Sequence, residues 1–157
     1  MPKTPLSFNL SPDHNPKSRI LNPLFDSRLN AEYTVCVAQV LLAGKDWQAR
    51  ALLRAQLLEE GVSVEAYQTV GEALARLEFF SGVPALLIAD ISASDHPSAD
   101  VECLTIWARR LPIWIIASHT LSVKGGLEGR GFETILFRPV DMGKLPQQIK
   151  QRLPGRQ

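Results

Sequence analysis

The chain has 157 residues, of which 17 are Lys or Arg and 16 are Asp or Glu, for a formal charge of +1. That balance speaks against a protein built throughout as a polyanion binder, while 45% apolar and 21% charged residues suit a globular domain with a sizeable core. Two cysteines, Cys36 and Cys103, are too few for a disulfide framework or a four-ligand zinc site, and no uncharged apolar run reaches the ~18 residues of a membrane span.

Residues 1–33 differ from the rest: they hold five of the eleven prolines and none of the ten glycines, and neither a helical nor a strand period persists in them. An extended or disordered tail is expected there, with Ile20, Leu21, Leu24, Phe25 and Leu29 available for docking. Pro2, Pro5, Pro12 and Pro16 interrupt any signal-peptide pattern. A domain over residues 34–154 in a reducing, cytoplasmic setting is the expectation.

From Tyr33 the periods alternate. TVCVAQVLLA ends at Gly44 and reads as a buried strand in its second half. Trp47 to Glu60 is a predicted helix with Leu52, Leu53, Gln56 and Leu57 at helical spacing, Asp46 as N-cap and Gly61 just past the end. VSVEAY is a short strand, Val70 to Phe80 a helix, PALLIAD a continuous apolar strand, and Ala99 to Arg110 a helix with Val101, Leu104 and Trp107 on one stripe. PIWIIAS is a fourth strand. LSVKGGLEGRG makes a poor helix, since each interior Gly costs ~1 kcal/mol against Ala. ETILF is a fifth strand, and Leu145 to Leu153 a last helix with Pro146 in its first turn.

Five βα units with strands apolar on both faces predict an α/β fold: a doubly wound, five-stranded parallel sheet in a three-layer α/β/α sandwich. Ligands in such folds sit at the carboxyl ends of the strands. That directs attention to Gly44, Lys45 and Asp46, to Asp90, to Ala117 and Ser118, and to Arg138 with Pro139.

The order and spacing of these segments resemble the receiver domain of two-component response regulators over about residues 38–153, with a flavodoxin-like fold. QVLLAGKDWQARALLRAQLLEEGVSVEAYQTVGEALARL is similar to the family's first two βα units, PALLIAD to the strand ending in its phosphorylated aspartate, LPIWIIAS to its fourth strand, and GFETILFRPV to its fifth. The resemblance implies that Asp90 is the phosphoacceptor equivalent. The acidic pair that holds Mg²⁺ in the family falls on Gly44 and Lys45, with Asp46 one step further on as a helix cap. The family's Thr or Ser falls on Ala117, with Ser118 next to it. Its Lys falls on Arg138, its aromatic switch residue on Ile135, and the bond before Pro139 is implied to be cis. The loop ISASDHPSAD lacks the family's usual pattern and is longer.

Phosphoryl transfer to a carboxylate needs a cation to offset charge, and Mg²⁺ is normally held by one or two carboxylates. With Gly44 and Lys45 at those positions, no cofactor is expected beyond weak Mg²⁺ binding. Arg138 or Lys45 would instead pair with Asp90, and the missing hydroxyl at Ala117 and aromatic at Ile135 would break the switch. Lys45 as a plain solvated loop lysine is an equal alternative.

The blander expectations are a surface His119, buried Cys36 and Cys103, packed Trp107 and Trp114, and a partly exposed Trp47. Arg109 and Arg110 are expected to complement a helix dipole, which is too little for a nucleic-acid site. AGKD is not a phosphate-binding loop.

The resulting expectation is a non-enzymatic, stand-alone pseudo-receiver, with no output domain after it because the chain ends at Gln157. It would act by contact with another signalling protein, a histidine kinase or a downstream regulator, without nucleic acid or membrane, its oligomeric state left open. The alternatives are a functional atypical phosphoacceptor, or a small-ligand binder or enzyme on the same fold with a pocket at Gly44, Asp90 and Ser118. No nucleophile–base pair is evident for the latter.

Overall fold

In the computed structural model, residues 37–79 and 81–155 are described. The expected tail over 1–33, the start of the domain at 34 and the burial of Cys36 lie outside them.

β1 (Val40–Gly44) ends where Asp46 caps α1 (Trp47–Glu59), its carboxylate accepting the amides of Gln48 and Ala49, each at 3.1 Å. Only Leu53 and Leu57 of α1 are fully buried, whereas Leu52, expected on the same stripe, is 49% exposed. Gly61 takes φ 77 just past the helix, a conformation that an L side chain resists. β2 (Val64–Tyr67) and α2 (Val70–Phe79) follow, then β3 (Leu86–Asp90). Helix α3 (Pro97–Trp107) starts two residues before its expected position because Pro97 suits a first turn, and it ends three residues sooner. β4 (Ile113–Ala117), β5 (Thr134–Phe137) and α4 (Leu145–Arg152) complete the order.

The five strands are parallel in the order β2-β1-β3-β4-β5. Side chains alternate across the sheet. Leu41, Leu87, Ile113 and Ile115 pack with Val70, Ala73 and Leu74 of α2 and with Val101 and Leu104 of α3. Val40, Leu42, Ile88 and Ile116 pack on the other face with Leu53 and Leu57 of α1 and with Leu145 and Ile149 of α4. Each fully buried Leu, Ile or Val among them contributes about 1.5–3 kcal/mol. The chain is therefore a flavodoxin-like, three-layer α/β/α sandwich.

One expected βα unit is incomplete. No helix joins β4 to β5; residues 118–133 form an irregular segment. Gly125, Gly126, Gly129 and Gly131 all have positive φ (76, 69, 74 and 90), which an α-helix cannot contain. The segment is nevertheless held. Leu121, Val123, Leu127 and Phe132 pack against the α2/α3 side of the core. Arg130 donates to the carbonyls of Gly126 and Lys124, each at 2.6 Å, and to Glu102 of α3 at 2.9 Å.

Cys103, expected to be buried, is exposed on α3, on the side away from Val101 and Leu104. Trp114 is buried, Trp107 partly so, and Trp47 is 65% exposed. Among the described residues no helix is long and apolar enough to cross a membrane.

Candidate functional site

After the neighbouring strands β1 and β3 the chain crosses to opposite sides, to β2 and to β4, and the two strand ends lie together: Gly44 is the register partner of Asp90. This is the switch point where α/β folds place their sites. A Cβ on Gly44 would stand 3.1 Å from the Cβ of Asp90, so the close approach of the two strand ends favours glycine there.

Asp90 is 9% exposed and fully engaged. Its Oδ1 accepts the Ser92 amide at 3.0 Å and the Ser92 hydroxyl at 2.5 Å. Its Oδ2 is gripped by Nη2 of Arg138, which follows β5. Nε of Arg138 donates to Ser92 Oγ at 2.9 Å. The guanidinium thus spans the carboxylate and the hydroxyl, forming a closed Asp90–Ser92–Arg138 ring. Arg138 does not take the carboxylate through two parallel hydrogen bonds, because Ser92 occupies its second donor. The Arg138–Pro139 bond is cis.

The other expected residues separate. Lys45 pairs with Asp95 of the β3–α3 loop at 2.6 Å and 2.7 Å instead of with Asp90. That ammonium holds the exposed Asp95 carboxyl below its ordinary range. Asp46 caps α1 through Oδ1, and its Oδ2 lies 4.0 Å from Arg138 Nη2. Ala117 is buried and offers no hydroxyl. Ser118 turns away into a local bond with Thr120 at 2.6 Å, so it does not join the pocket expected at Gly44 and Asp90. His119 is exposed and stacks on Phe137 with centroids 4.7 Å apart. Ser92, Asp95 and Arg50, whose guanidinium donates to the Gly44 carbonyl, escaped the sequence reading. Only Ser92 carried a signal: a serine two residues after an aspartate is the spacing of a local side-chain turn.

The Mg²⁺ that the receiver resemblance implies does not fit these residues. A hard cation of this size needs several oxygen ligands, with carboxylates among them. The place of the acidic pair holds Gly44 and Lys45, Asp46 is engaged at the helix N-terminus, and a guanidinium already covers Asp90 Oδ2. Among the described residues no group of three or more His, Cys, Asp or Glu is placed to hold a metal ion.

No family model matches the sequence, and no curated protein matches it either. Solved structures do match. A CheY-like response regulator receiver domain protein from Methanospirillum hungatei JF-1 is 21% identical over 74% of this chain and 93% of that one, with a TM-score of 0.60. The chemotaxis protein CheY4 of Vibrio cholerae is 20% identical over 74% and 99%, with a TM-score of 0.58. The receiver domain of NtrX from Brucella abortus is 20% identical over 73% and 97%, with a TM-score of 0.57. The chain thus has the fold of a response regulator receiver domain.

Proposed function

We propose that the chain is a receiver-like signalling protein of the two-component type that regulates a partner by protein–protein contact, with weak or no phosphorylation at Asp90. The carrying observation is the guanidinium of Arg138 on the Asp90 carboxylate, where a receiver would need a metal and a free carboxylate oxygen. A fixed cation neutralises the acceptor without recruiting a phosphodonor. The buried Ala117 and the aliphatic Ile135 leave the family's coupling from pocket to surface without its hydroxyl and its ring. The partner is a signalling protein, a histidine kinase or a downstream regulator. A cytoplasmic setting and a tail before a domain over residues 34–154 belong to the same reading.

The enzyme or small-ligand alternative draws less support. The cavity beside Arg138 and Asp90 measures about 10 Å³, and the one on the Lys45 side about 110 Å³. Small-molecule pockets usually span ~300–1,000 Å³. Ser92 does contact a carboxylate, but its oxygen also accepts from Arg138, which lowers its nucleophilicity.

The deciding experiment is intact mass after incubation with acetyl phosphate and Mg²⁺, with Asp90→Asn as control. The expected result is no phosphate-sized gain in the folded protein. A gain abolished by Asp90→Asn would overturn the reading in favour of an atypical phosphoacceptor.

A further inference from the structure

The pole of the sheet opposite Asp90 gathers arginines that lie far apart in sequence. Helix α3 ends at Trp107 in a tight turn, with the amides of Arg110 and Leu111 both donating to the Trp107 carbonyl at 2.8 Å and 3.2 Å. Leu111 is buried at 3% exposure, which pins the chain and leaves Arg109 and Arg110 on the surface. Arg152, at the end of α4, comes to the same place. All three border a shallow depression of about 350 Å³ around Glu133, the residue that precedes β5.

The charges there do not cancel. Among the described residues Glu133 is the one carboxylate lining the depression, and both its oxygens are taken, one by Nε of Arg152 and one by the indole N–H of Trp114 at 3.2 Å. Arg109 and Arg110 have no carboxylate partner among the described residues. Arg110 lies over the ring of Trp107, 5.2 Å from its centroid, and is exposed. A planar guanidinium takes a carboxylate through two hydrogen bonds.

We propose that this pole is a docking surface for an acidic peptide segment of a partner protein. The proposal rests on, and gives a location to, the reading that the domain acts by contact. Depth of charge favours a peptide over nucleic acid: Glu133 interrupts the basic surface, the net charge is only +1, and Arg110 covers a face of Trp107 that would otherwise stack a base. Since Asp90 closes β3 at the other end of the sheet, contact here is independent of its state.

The test is fluorescence anisotropy of a labelled hexaglutamate peptide titrated with the full chain. Saturable binding is expected, weakened at least about tenfold in the Arg109→Ala/Arg110→Ala double variant, a loss of about 1.4 kcal/mol. Raising the salt from about 0.05 M to about 0.3 M weakens it further as the charges are screened. Arg109→Gln, at a side chain with no ion pair to lose, gives a partial loss and serves if the double variant does not fold. No saturable binding, binding indifferent to the arginines, or equally tight arginine-dependent binding of an oligothymidylate of the same length overturns the proposal. Asp90→Asn is expected to bind as the parent does. A changed affinity that still depends on the arginines upholds the surface and counts against the fixed pocket instead.

Discussion

A guanidinium presents its donors in one plane and along two directions, so Arg138 holds the Asp90 carboxylate and the Ser92 hydroxyl together, which a lysine ammonium at the same place would do less well. Removing it leaves a nearly buried carboxylate with hydrogen bonds but no counter-charge. Arg138→Met is therefore expected to cost about 1–3 kcal/mol in urea denaturation, less than for a fully buried pair because the Arg138 side chain is 34% exposed. Arg138→Lys should recover part of that loss. Asp90→Asn/Arg138→Met should lose less than Arg138→Met alone, since the orphaned charge is gone; equal losses would show that the ion pair does not matter. At this scale the sequence put Asp90 and Arg138 at strand ends and left Lys45 or Arg138 as its partner. The choice fell to Asp95, which captures Lys45 from a loop fifty residues away and whose position no local pattern specifies.

Among the elements, the segment between β4 and β5 departs furthest from the five-unit expectation. Its glycines made it legible as a weak helix, because glycine spends its conformational freedom poorly in one. That it would be an anchored loop was not legible, since the anchor is Arg130 reaching Glu102 on helix α3. Arg130→Ala is expected to release the segment, with trypsin cutting after Lys124 several-fold faster and stability falling by about 0.5–1.5 kcal/mol, since the two carbonyls it leaves are exposed to water. Unchanged cleavage would assign the anchoring to Leu121, Val123 and Phe132 alone. Helix α1, in contrast, was readable at both ends: a carboxylate cap and a glycine stop are local chemistry.

At the scale of the whole molecule, one contribution to acid stability lies at the β2 edge. Glu65 of β2 receives Arg76 of α2 at 2.8 Å and 3.2 Å, and Arg76 is 9% exposed. The Arg76 hydrogen bonds hold the Glu65 carboxyl below its ordinary 4.5, against burial, which pushes it up. A depressed folded value means a contribution present above the unfolded value and lost as pH falls through the folded one. The melting temperature should therefore hold above about pH 5 and drop below pH 4.5. Glu65→Gln should lower the neutral plateau by about 1–2 kcal/mol, discounted for the partial exposure of Glu65, and flatten the acid limb. An acid limb of unchanged slope would place the proton uptake elsewhere.

The strand and helix order, the sheet's burial on both faces and the presence of a carboxylate at the central strand end were determined by the sequence itself, because apolar periodicity, caps and breakers act between near neighbours. The pairing of Arg138 with Asp90 through Ser92, the diversion of Lys45 to Asp95, the tethering of residues 118–133 and the meeting of Arg109, Arg110 and Arg152 were decided only by the tertiary structure. Each joins side chains from separate βα units, and which of several possible partners a charged group takes depends on distances that exist only once the sheet has assembled.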